Sequence, residues 1–504
     1  MKIMKKIKYI IFSALVFTLF SCSEDFLDNV NQNNPAQGVI FDNTENAQFA
    51  LNGLIRSLYD VSNNFTNAPQ NGFYEYGGYP TMMMTMDFLG EDIPFVGTSP
   101  TLRWTEAYNW GMITGSDAGL LEYHWLEAYN ILNVANSIID NIDGASGPQS
   151  IKDNIKGQAL AARAFVYFDL VQLFADRYEP GGANNQLGPI LYTTATQSTQ
   201  PRNTVAETYE LINSDLDAAM SLLDSEERID KSYINNSVVL SLKARVALVQ
   251  EDWQMAINMA TAALANYSLM DNTAYQSGFN SFNNDEWIWG WNMEEGARDS
   301  NIFASFFINM AWNGVSSDVR ANPRVIFSAL YDFIPDTDVR STIFSEDAPD
   351  PDIFPGSGYT VVPYHSFKFE SEVLTVGDQT GDIPVIRAAE MLLIKAEAEQ
   401  RSGNDTAAAQ TLFNLNSNRD PNYTLSTNTG QTLLDEIWMY RRAELWGEGH
   451  RFKDLKRNNL DLDRSGGNHN PAVAKVMNVP ASDERWTWLI PDVELDRNPN
   501  INSN

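Results

Sequence analysis

The sequence predicts an all-α dominated fold in which a tetratricopeptide-like helical repeat scaffold carries an irregular, loop-rich lobe. Apolar residues recur at intervals of three and four through most of the chain, which is helical spacing. Small residues within that pattern keep the spacing of a repeated helical hairpin. Two stretches rich in glycine, asparagine and aromatic residues interrupt the helices, and strand-like alternation is scarce.

The chain begins with the layout of a secretory signal peptide. Four lysines between positions 2 and 8 precede an apolar run over residues 9–20, and the small residue Ser21 follows. Twelve residues would span about 18 Å as a helix, which is too short for the roughly 30 Å of a bilayer's hydrocarbon core. We therefore expect residues 1–21 to be a cleaved leader and residues 22–504 to form a single domain.

The only cysteine, Cys22, lies directly after this leader. Its surroundings resemble the bacterial lipobox, in which lipid is attached to the thiol and the leader is cleaved just before it. Ser23, Glu24 and Asp25 resemble the export signal of lipoproteins that reach the outer face of the outer membrane, and an ordinary acidic tether is the alternative. With no second cysteine, neither a disulfide nor a cysteine-based metal site is predicted.

The charge balance excludes nucleic acid as a partner. Removal of the leader with its four lysines lowers the basic residues from 34 to 30 against 65 acidic ones, so the formal charge changes from −31 to −35. Phosphate binding needs a basic surface, which this composition does not favour.

Helical periodicity is clearest in eight segments: residues 121–142, 156–178, 205–223, 237–250, 253–265, 386–401, 406–418 and 432–456. Among their small residues, Ala244, Ala256 and Ala263 are separated by twelve and then seven positions, which is the spacing of a tetratricopeptide repeat. A second, partial copy keeps the twelve-residue offset between Ala396 and Ala408. Small residues at these places let a helical hairpin close tightly, and its outer face then needs a neighbour.

Four segments, in order along the chain, resemble the SusD/RagB family of Bacteroidetes surface lipoproteins. They are SCSEDFLD at the start, ALAARAFVYFDLVQLFADRY from Ala159, IPVIRAAEMLLIKAEAEQRSGN from Ile383, and RRAELWGEGHRFKDLKRNN from Arg441 with the closing IPDVELDRNPNINSN. The sequence departs from the family pattern after the late repeat, where FNLNSNRD keeps only Arg419. On this resemblance, residues 323–504 correspond to the C-terminal signature region.

The resemblance implies a SusD-like fold and a non-catalytic lipoprotein, anchored in the outer membrane and exposed at the cell surface. Such a protein binds oligo- or polysaccharides and delivers them to a SusC-like TonB-dependent transporter, its expected partner. Peptide capture, as on the RagB side of the family, is an alternative. A surface glycoside hydrolase is another, and it would require a carboxylate pair such as Asp87 with Glu91 or Asp92.

Catalytic and metal-binding templates are not met. Glu444 and Glu448 are four residues apart on a predicted helix, near the carboxylate separation of retaining glycosidases. Arg441 and Arg451 stand three residues from one glutamate each and would keep both ionised, so we interpret this segment as a structural ion-pair network. The four histidines are scattered, and no cofactor or metal site is predicted.

The candidate ligand site lies in the two irregular stretches, residues 65–119 and 275–322, which hold six of the twelve tryptophans. Loops run over the surface and carry function, and the apolar faces of sugar rings stack on aromatic side chains. The predicted ligand-binding residues are Trp104, Trp110, Trp312, Tyr74, Tyr76 and Trp291. For Trp287 we favour a place in a minor core, on a short strand.

Overall fold

The structure is a computed structural model that describes residues 37–59, 76–97, 103–196, 198–223, 227–293, 306–372 and 381–502. Within these ranges helices dominate and strands occur only as short pairs, which confirms the predicted all-α dominated class. No helix among these residues combines the length and apolar character needed to cross a bilayer. Cys22 and the leader lie outside the described residues.

Eleven helices of seven or more residues are present in the described ranges. They are α1 (Thr44–Ser57), α2 (Gly78–Phe88), α3 (Gly119–Asn141), α4 (Gln149–Phe174), α5 (Val205–Leu222), α6 (Asn236–Gln250), α7 (Trp253–Ala263), α8 (Ala388–Arg401), α9 (Asp405–Arg419), α10 (Gly430–Glu444) and α11 (Arg451–Arg457). Shorter α-helical segments are Gln37–Ile40, Thr105–Tyr108, Asn272–Tyr275, Phe306–Met310, Ser317–Ala321, Ser328–Tyr331, Val339–Thr342, Pro471–Ala474 and Asp492–Arg497.

The strands form antiparallel pairs of two. They are β1 (Trp287–Trp291) with β4 (Ile383–Arg387), β2 (Phe344–Ser345) with β3 (His365–Ser366), and β5 (Leu462–Asp463) with β6 (Asn478–Val479). The pairing of β1 with β4 joins the second irregular stretch to the start of α8. The pairing of β2 with β3 lies beside the aromatic residues discussed below.

The predicted helical hairpins are confirmed. Helices α6 and α7 form one hairpin, α8 and α9 form another, and α7 packs on α8. The side chains of Ala244, Ala256, Ala263, Ala396 and Ala408 have no exposed surface. Their small size lets the helices approach closely, and each hairpin covers the apolar face of the next.

Local chemistry closes each hairpin. Asp252 caps α7 by accepting a hydrogen bond from the Met255 amide at 3.1 Å, after Glu251 turns the chain with φ of 57°. In the second hairpin Gly403 has φ of 84°, and Asn404 caps α9. A polar cap and a left-handed residue are what a tight helix–helix turn requires.

One predicted helix, over residues 432–456, is broken in the structure. Helix α10 ends at Glu444 and α11 begins at Arg451. Gly447 and Gly449 between them have φ of 78° and 83°, a conformation that an α-helix cannot contain. A Cβ atom on Gly449 would lie 2.7 Å from the Cα of Met83, so the break also lets α2 approach closely.

Buried cations hold several loops through backbone carbonyl groups. Arg464 donates to the carbonyls of Gly90 at 3.0 Å and Tyr108 at 2.6 Å. Lys456 is buried, and its ammonium group donates to the carbonyl of Ala175 at 2.7 Å. None of the ion pairs between described residues includes Lys456, and burial lowers the pKa of its amine to about 7.

We expect Lys456→Met to stabilise the protein at and below neutral pH. The unfolded chain binds a proton at this lysine up to about pH 10.5, whereas the folded chain releases it near pH 7. The unfolded state therefore binds more protons between these values, so the free energy of unfolding of the wild type rises with pH across this window. Replacement by methionine removes that dependence and raises the free energy of unfolding at pH 6 by about 2 kcal/mol, measured by urea titration.

Lys152→Met is the matched control. This lysine also donates to a backbone carbonyl, that of Asp143 at 3.1 Å, but at an exposed site. Its replacement should change the free energy of unfolding by less than about 0.5 kcal/mol at either pH. Equal effects of the two substitutions would contradict a burial penalty at Lys456.

Candidate functional site

Most of the predicted aromatic ligand residues lie inside the protein. Trp104, Trp110 and Trp291 have 0% exposed surface, and Tyr76 has 6%. The expectation that these side chains form an open platform is therefore corrected. Tyr74 lies outside the described residues.

Backbone conformation explains the burial of the first two tryptophans. Trp104 and Trp110 both adopt left-handed φ values, 63° and 64°, immediately before short helical turns. The Trp110 indole donates to the carbonyl of Leu89 at 2.9 Å and meets Trp486 edge-on at 5.0 Å. The lobe has little regular structure of its own, so its large rings supply the apolar volume of its core.

Three tryptophans of the second stretch, Trp287, Trp289 and Trp291, lie on β1, whose five residues are all buried. This confirms the core position predicted for Trp287. The Trp289 indole donates to the carbonyl of Ser232 at 2.9 Å, and Trp291 lies 6.0 Å from the ring of Tyr79. Tyr76 stacks on Tyr123 with 4.6 Å between ring centroids.

Trp312 is the predicted tryptophan that keeps partial exposure. Its ring lies edge-on to Phe354 at 5.8 Å and to Phe367 at 5.5 Å, and Tyr359 stacks on Phe354 at 4.8 Å. Arg320 places its guanidinium 5.0 Å from the centre of the Tyr359 ring. We call these five residues the aromatic surface; Trp312, Tyr359, Phe367 and Arg320 are partly exposed, and Phe354 supports them from below.

Backbone hydrogen bonds fix the position of Trp312. Its amide donates to the carbonyl of Phe369 at 3.0 Å. The next side chain, Asn313, donates to the carbonyl of Ser371 at 3.0 Å and accepts from the Ser371 amide at 2.9 Å. The Tyr359 hydroxyl donates to the carbonyl of Gly314 at 2.9 Å. The aromatic surface is thus held in place before any ligand arrives.

Arg320 supplies the polar chemistry of this surface. Its Nε is buried and has no hydrogen-bond partner among the described residues, and the contact of its Nη1 with the carbonyl of Ser357 is long, at 3.5 Å. The Arg320 side chain is partly exposed, so its terminal nitrogens can donate to a hydroxyl or carboxylate oxygen of a ligand beside the rings.

Phe354, Tyr359, Phe367 and Arg320 were not among the ligand residues predicted from the sequence. The first two lie in FPGSGY, a Gly/Pro-rich loop with an aromatic residue at each end, which is the type of signal that drew attention to the two irregular stretches. Phe354 and Tyr359 were missed because they fall within the C-terminal signature region, outside the two irregular stretches.

Eight buried charges form a network beneath the aromatic surface. We call it the buried ion network: Arg340, Lys368, Arg387, Arg419, Glu286, Asp338, Glu444 and Glu448. Arg387 binds both oxygens of Glu448, at 2.8 and 2.7 Å, and also pairs with Glu286 and Glu444. Four cations balance four anions, so no charge within this network is left uncompensated.

Cationic neighbours favour the ionised form of Glu444 and Glu448. Burial alone would raise the pKa of Glu444, but Arg419, Arg387 and Arg340 lower it well below its ordinary value. For Glu448, Arg387 and Lys368 outweigh burial in the same way and lower the pKa. A general acid must keep its proton near neutral pH, which these two glutamates do not.

The network connects directly to the aromatic surface. Lys368 donates to Glu448 at 2.6 Å and to the carbonyl of Trp446 at 2.7 Å. Its neighbours in sequence are Phe367, which contacts Trp312, and Phe369, whose carbonyl accepts from Trp312. Fixing Lys368 therefore fixes the segment against which Trp312 rests.

The predicted ion-pair network is present with different partners. Arg441 was expected to face Glu444, but it pairs with Asp454 at 2.7 Å. Arg451 was expected to face Glu448, but it pairs with Glu91. The break between α10 and α11 removes the helical register of Glu448 with Arg451. Arg441 and Glu444 share α10, but Arg441 pairs with Asp454 on α11 instead, while Glu444 pairs with Arg340, Arg387 and Arg419.

The carboxylates proposed for a hydrolase site are occupied by structural contacts. Asp87 accepts from the Gly449 amide at 2.7 Å and the His450 amide at 3.2 Å, and burial raises its pKa to about 7. Asp92 pairs with Arg442 at 2.6 Å. Among the residues that the structure describes, no group of three His, Cys, Asp or Glu side chains is arranged to hold a metal ion.

Two family models match the chain. The model described as "SusD family" matches residues 336–504, and one described as "Starch-binding associating with outer membrane" matches residues 42–248. The first therefore covers the buried ion network with the exception of Glu286.

Relatives and solved structures agree with these matches. SusD-like protein P2 of Formosa agariphila is 29% identical over 53% of this chain, and the match covers 48% of that relative, about half its length. SusD-like protein P38 of the same organism is 25% identical over 68% of this chain and 73% of its own. A crystal structure of a SusD-like carbohydrate binding protein from Bacteroides vulgatus has a TM-score of 0.79 and 28% identity, covering 92% of this chain and 98% of that one.

We expect Glu444→Gln to destabilise the protein strongly. The substitution removes one negative charge and leaves Arg340, Arg387 and Arg419 with incomplete compensation in the interior. Breaking a buried ion pair on one side costs about 3–5 kcal/mol, which a urea titration would measure. Asp435→Asn on the exposed face of α10 is the same chemical change and should cost less than about 0.5 kcal/mol. A Glu444→Gln loss as small as that of the control would show that the network does not stabilise the fold.

Proposed function

Because this chain belongs to the SusD/RagB family, we propose that it is a non-catalytic outer-membrane lipoprotein that binds glycans and delivers them to a SusC-like TonB-dependent transporter. One observation carries the glycan assignment: a partly exposed tryptophan and tyrosine both pack on Phe354 on a fixed backbone, and a partly exposed arginine lies over the tyrosine ring. This combination suits a ring that is apolar on its faces and polar at its edge.

The chemistry of a pyranose matches the aromatic surface. Its C–H groups make apolar faces that lie on the electron-rich face of tryptophan or tyrosine, and its hydroxyl groups exchange hydrogen bonds at the rim. Trp312 and Tyr359 provide the rings, and Arg320 provides the donor. Binding without chemistry is favoured because the carboxylates near this surface are ionised and paired with arginine or lysine.

Attachment and partner are parts of the same proposal. Lipid on Cys22 would hold the mature chain at the outer membrane, and each buried CH₂ of the acyl chains contributes roughly 0.8 kcal/mol. One matching family model describes proteins associated with that membrane. Delivery to a transporter follows from the family's SusC-like partnership, which the sequence resemblance implies.

We expect Trp312→Ala to weaken glycan binding. Loss of one stacking platform should lower affinity about tenfold, equivalent to about 1.4 kcal/mol, as measured by affinity electrophoresis on the polysaccharide that a panel identifies. No new reducing ends should appear when the wild type is incubated with the same polysaccharide.

Trp253→Ala on α7 is the matched control, because Trp253 is also partly exposed but lies on the first repeat hairpin. It should leave affinity unchanged. Full binding by Trp312→Ala, with a melting curve like that of the wild type, would exclude the aromatic surface as the site. Retention of peptides with no retention of any polysaccharide would replace glycan by peptide as the cargo, and growth of reducing ends would replace capture by hydrolysis.

We expect Cys22→Ala to abolish lipid attachment. Cells fed a labelled fatty acid should show label on the wild-type protein and none on the variant, and protease added to intact cells should digest only the wild type at the surface. Ser21→Ala keeps the cysteine and a small preceding residue, so its labelling should equal that of the wild type. Labelled Cys22→Ala protein would contradict lipidation at this thiol.

A further inference from the structure

A small cavity lies where the N-terminal helices meet the C-terminal signature region. It has a volume of 80 Å³ and is lined from six helices: α2, α4, α6, α8, α10 and α11. Its rim includes Gln172, Val249 and Lys453, which are partly exposed. The cavity is separate from the aromatic surface, and no residue of that surface lines it.

Three buried polar atoms in this lining have no hydrogen-bond partner among the residues that the structure describes. They are the hydroxyl of Tyr79, Oδ2 of Asp169 and Nη1 of Arg441. The three residues are 5%, 3% and 5% exposed. A buried polar atom without a partner costs about 1–3 kcal/mol, so three at one place call for an explanation.

The rest of each side chain is held by other contacts. The Tyr79 hydroxyl lies near Asp169, which adds to burial in raising the pKa of the tyrosine, but the two groups do not meet hydrogen-bond geometry. The other oxygen of Asp169 pairs with Lys453 from α11. The Nε of Arg441 donates to Asp454 at 2.7 Å. Tyr79 is held on α2 with its ring 4.4 Å from that of Phe165 on α4. The unused atoms therefore remain available at the cavity.

Charge balance identifies the type of ligand. The charged residues of the lining are four cations and four anions: Arg245, Arg441, Lys453 and Arg457, with Asp169, Glu390, Glu448 and Asp454. Each cation has a carboxylate partner, including Arg245 with Glu390 at 2.6 Å and Arg457 with Glu397 at 2.6 Å. An ion entering this cavity would be uncompensated, so the ligand must be neutral.

Hydrogen-bonding capacity and volume narrow the choice further. Arg441 can only donate, Asp169 can only accept, and the Tyr79 hydroxyl does both, so the ligand must offer donors and acceptors together. A buried water needs about 10–15 Å³ of such volume and two to four polar partners, which 80 Å³ supplies several times over. Pockets for drug-sized ligands begin at about 300 Å³.

We propose that this cavity is a binding site for a cluster of ordered water molecules that bridges Tyr79, Asp169 and Arg441. The waters join α2 and α4 to α10 through hydrogen bonds to three atoms that have no partner of good hydrogen-bond geometry among the described residues. Water-mediated hydrogen bonds thus connect the N-terminal helices to the signature region, in addition to apolar packing.

A crystal structure of the full mature chain, at a resolution that shows ordered water, tests this. We expect a water within about 3.2 Å of each of the three atoms. In Tyr79→Phe we expect the water on the hydroxyl to be lost while those on Asp169 and Arg441 remain. Leu248→Met changes an apolar lining residue of similar volume and should keep every water.

Other outcomes would overturn the proposal. An empty cavity in the wild type, or direct hydrogen bonds among Tyr79, Asp169 and Arg441 that close it, would remove the water site. Electron density for an ion or a larger molecule in place of water would show that the ligand is not water. The wild-type structure decides between these without any variant, and an unchanged water pattern in Tyr79→Phe would exclude the tyrosine as a partner.

Discussion

The compensation of eight charges in the interior is the constraint on which the rest of this structure depends. Glu286, Arg387, Arg419 and Glu444 come from four segments far apart in the chain, yet their side chains meet with no exposed surface. Because an uncompensated buried charge is so costly, the segments that carry them hold one arrangement. Lys368 connects that arrangement to the segment beside Trp312, because it pairs with Glu448 and its neighbour Phe367 contacts the Trp312 ring. The interior charges therefore help to fix the position of this partly exposed ring.

Two kinds of aromatic residue share the irregular lobe. Trp104 and Trp110 are packed inside, where they replace the regular secondary structure that the lobe lacks. Trp312 and Tyr359 sit at the boundary, where support from Phe354 keeps them rigid and partial exposure keeps them available. The proposed recognition surface is therefore small, and its rigidity reduces the ordering cost of binding.

The parts of the fold that could be predicted from the sequence are those set by local spacing. The hairpins α6–α7 and α8–α9 follow from alanines twelve residues apart, and their turns follow from cap residues such as Asp252. The break before α11 escaped prediction because apolar spacing continues across it. Its left-handed glycines, Gly447 and Gly449, are needed where a distant helix packs, since Met83 approaches Gly449 too closely for a Cβ atom.

Contacts between residues far apart in the chain also decided which parts of the candidate site could be predicted. Arg442 and Asp92 pair across 350 positions, and neither local pattern nor composition indicates such a contact. Whether a loop tryptophan is buried depends on partners such as Trp486 for Trp110, far away in the chain. The resemblance of four segments to a family identified the fold, but it could not separate interior rings from exposed ones.

The left-handed backbone at Trp104 and Trp110 has an evolutionary consequence. Each of these residues sets the backbone conformation of its turn and also fills the core. Substitution at either position would therefore disturb the packing of the interior as well as the loop. Under the proposed function, new ligand preferences would arise more readily from substitutions at two partly exposed residues: Tyr359, next to Gly358, and Arg320, on the short helix Ser317–Ala321. Exchanging the stretch that follows α2 between relatives would therefore transfer core residues together with the loop. Substitutions after Phe354 within FPGSGY would change exposed or partly exposed positions and leave the core as it is.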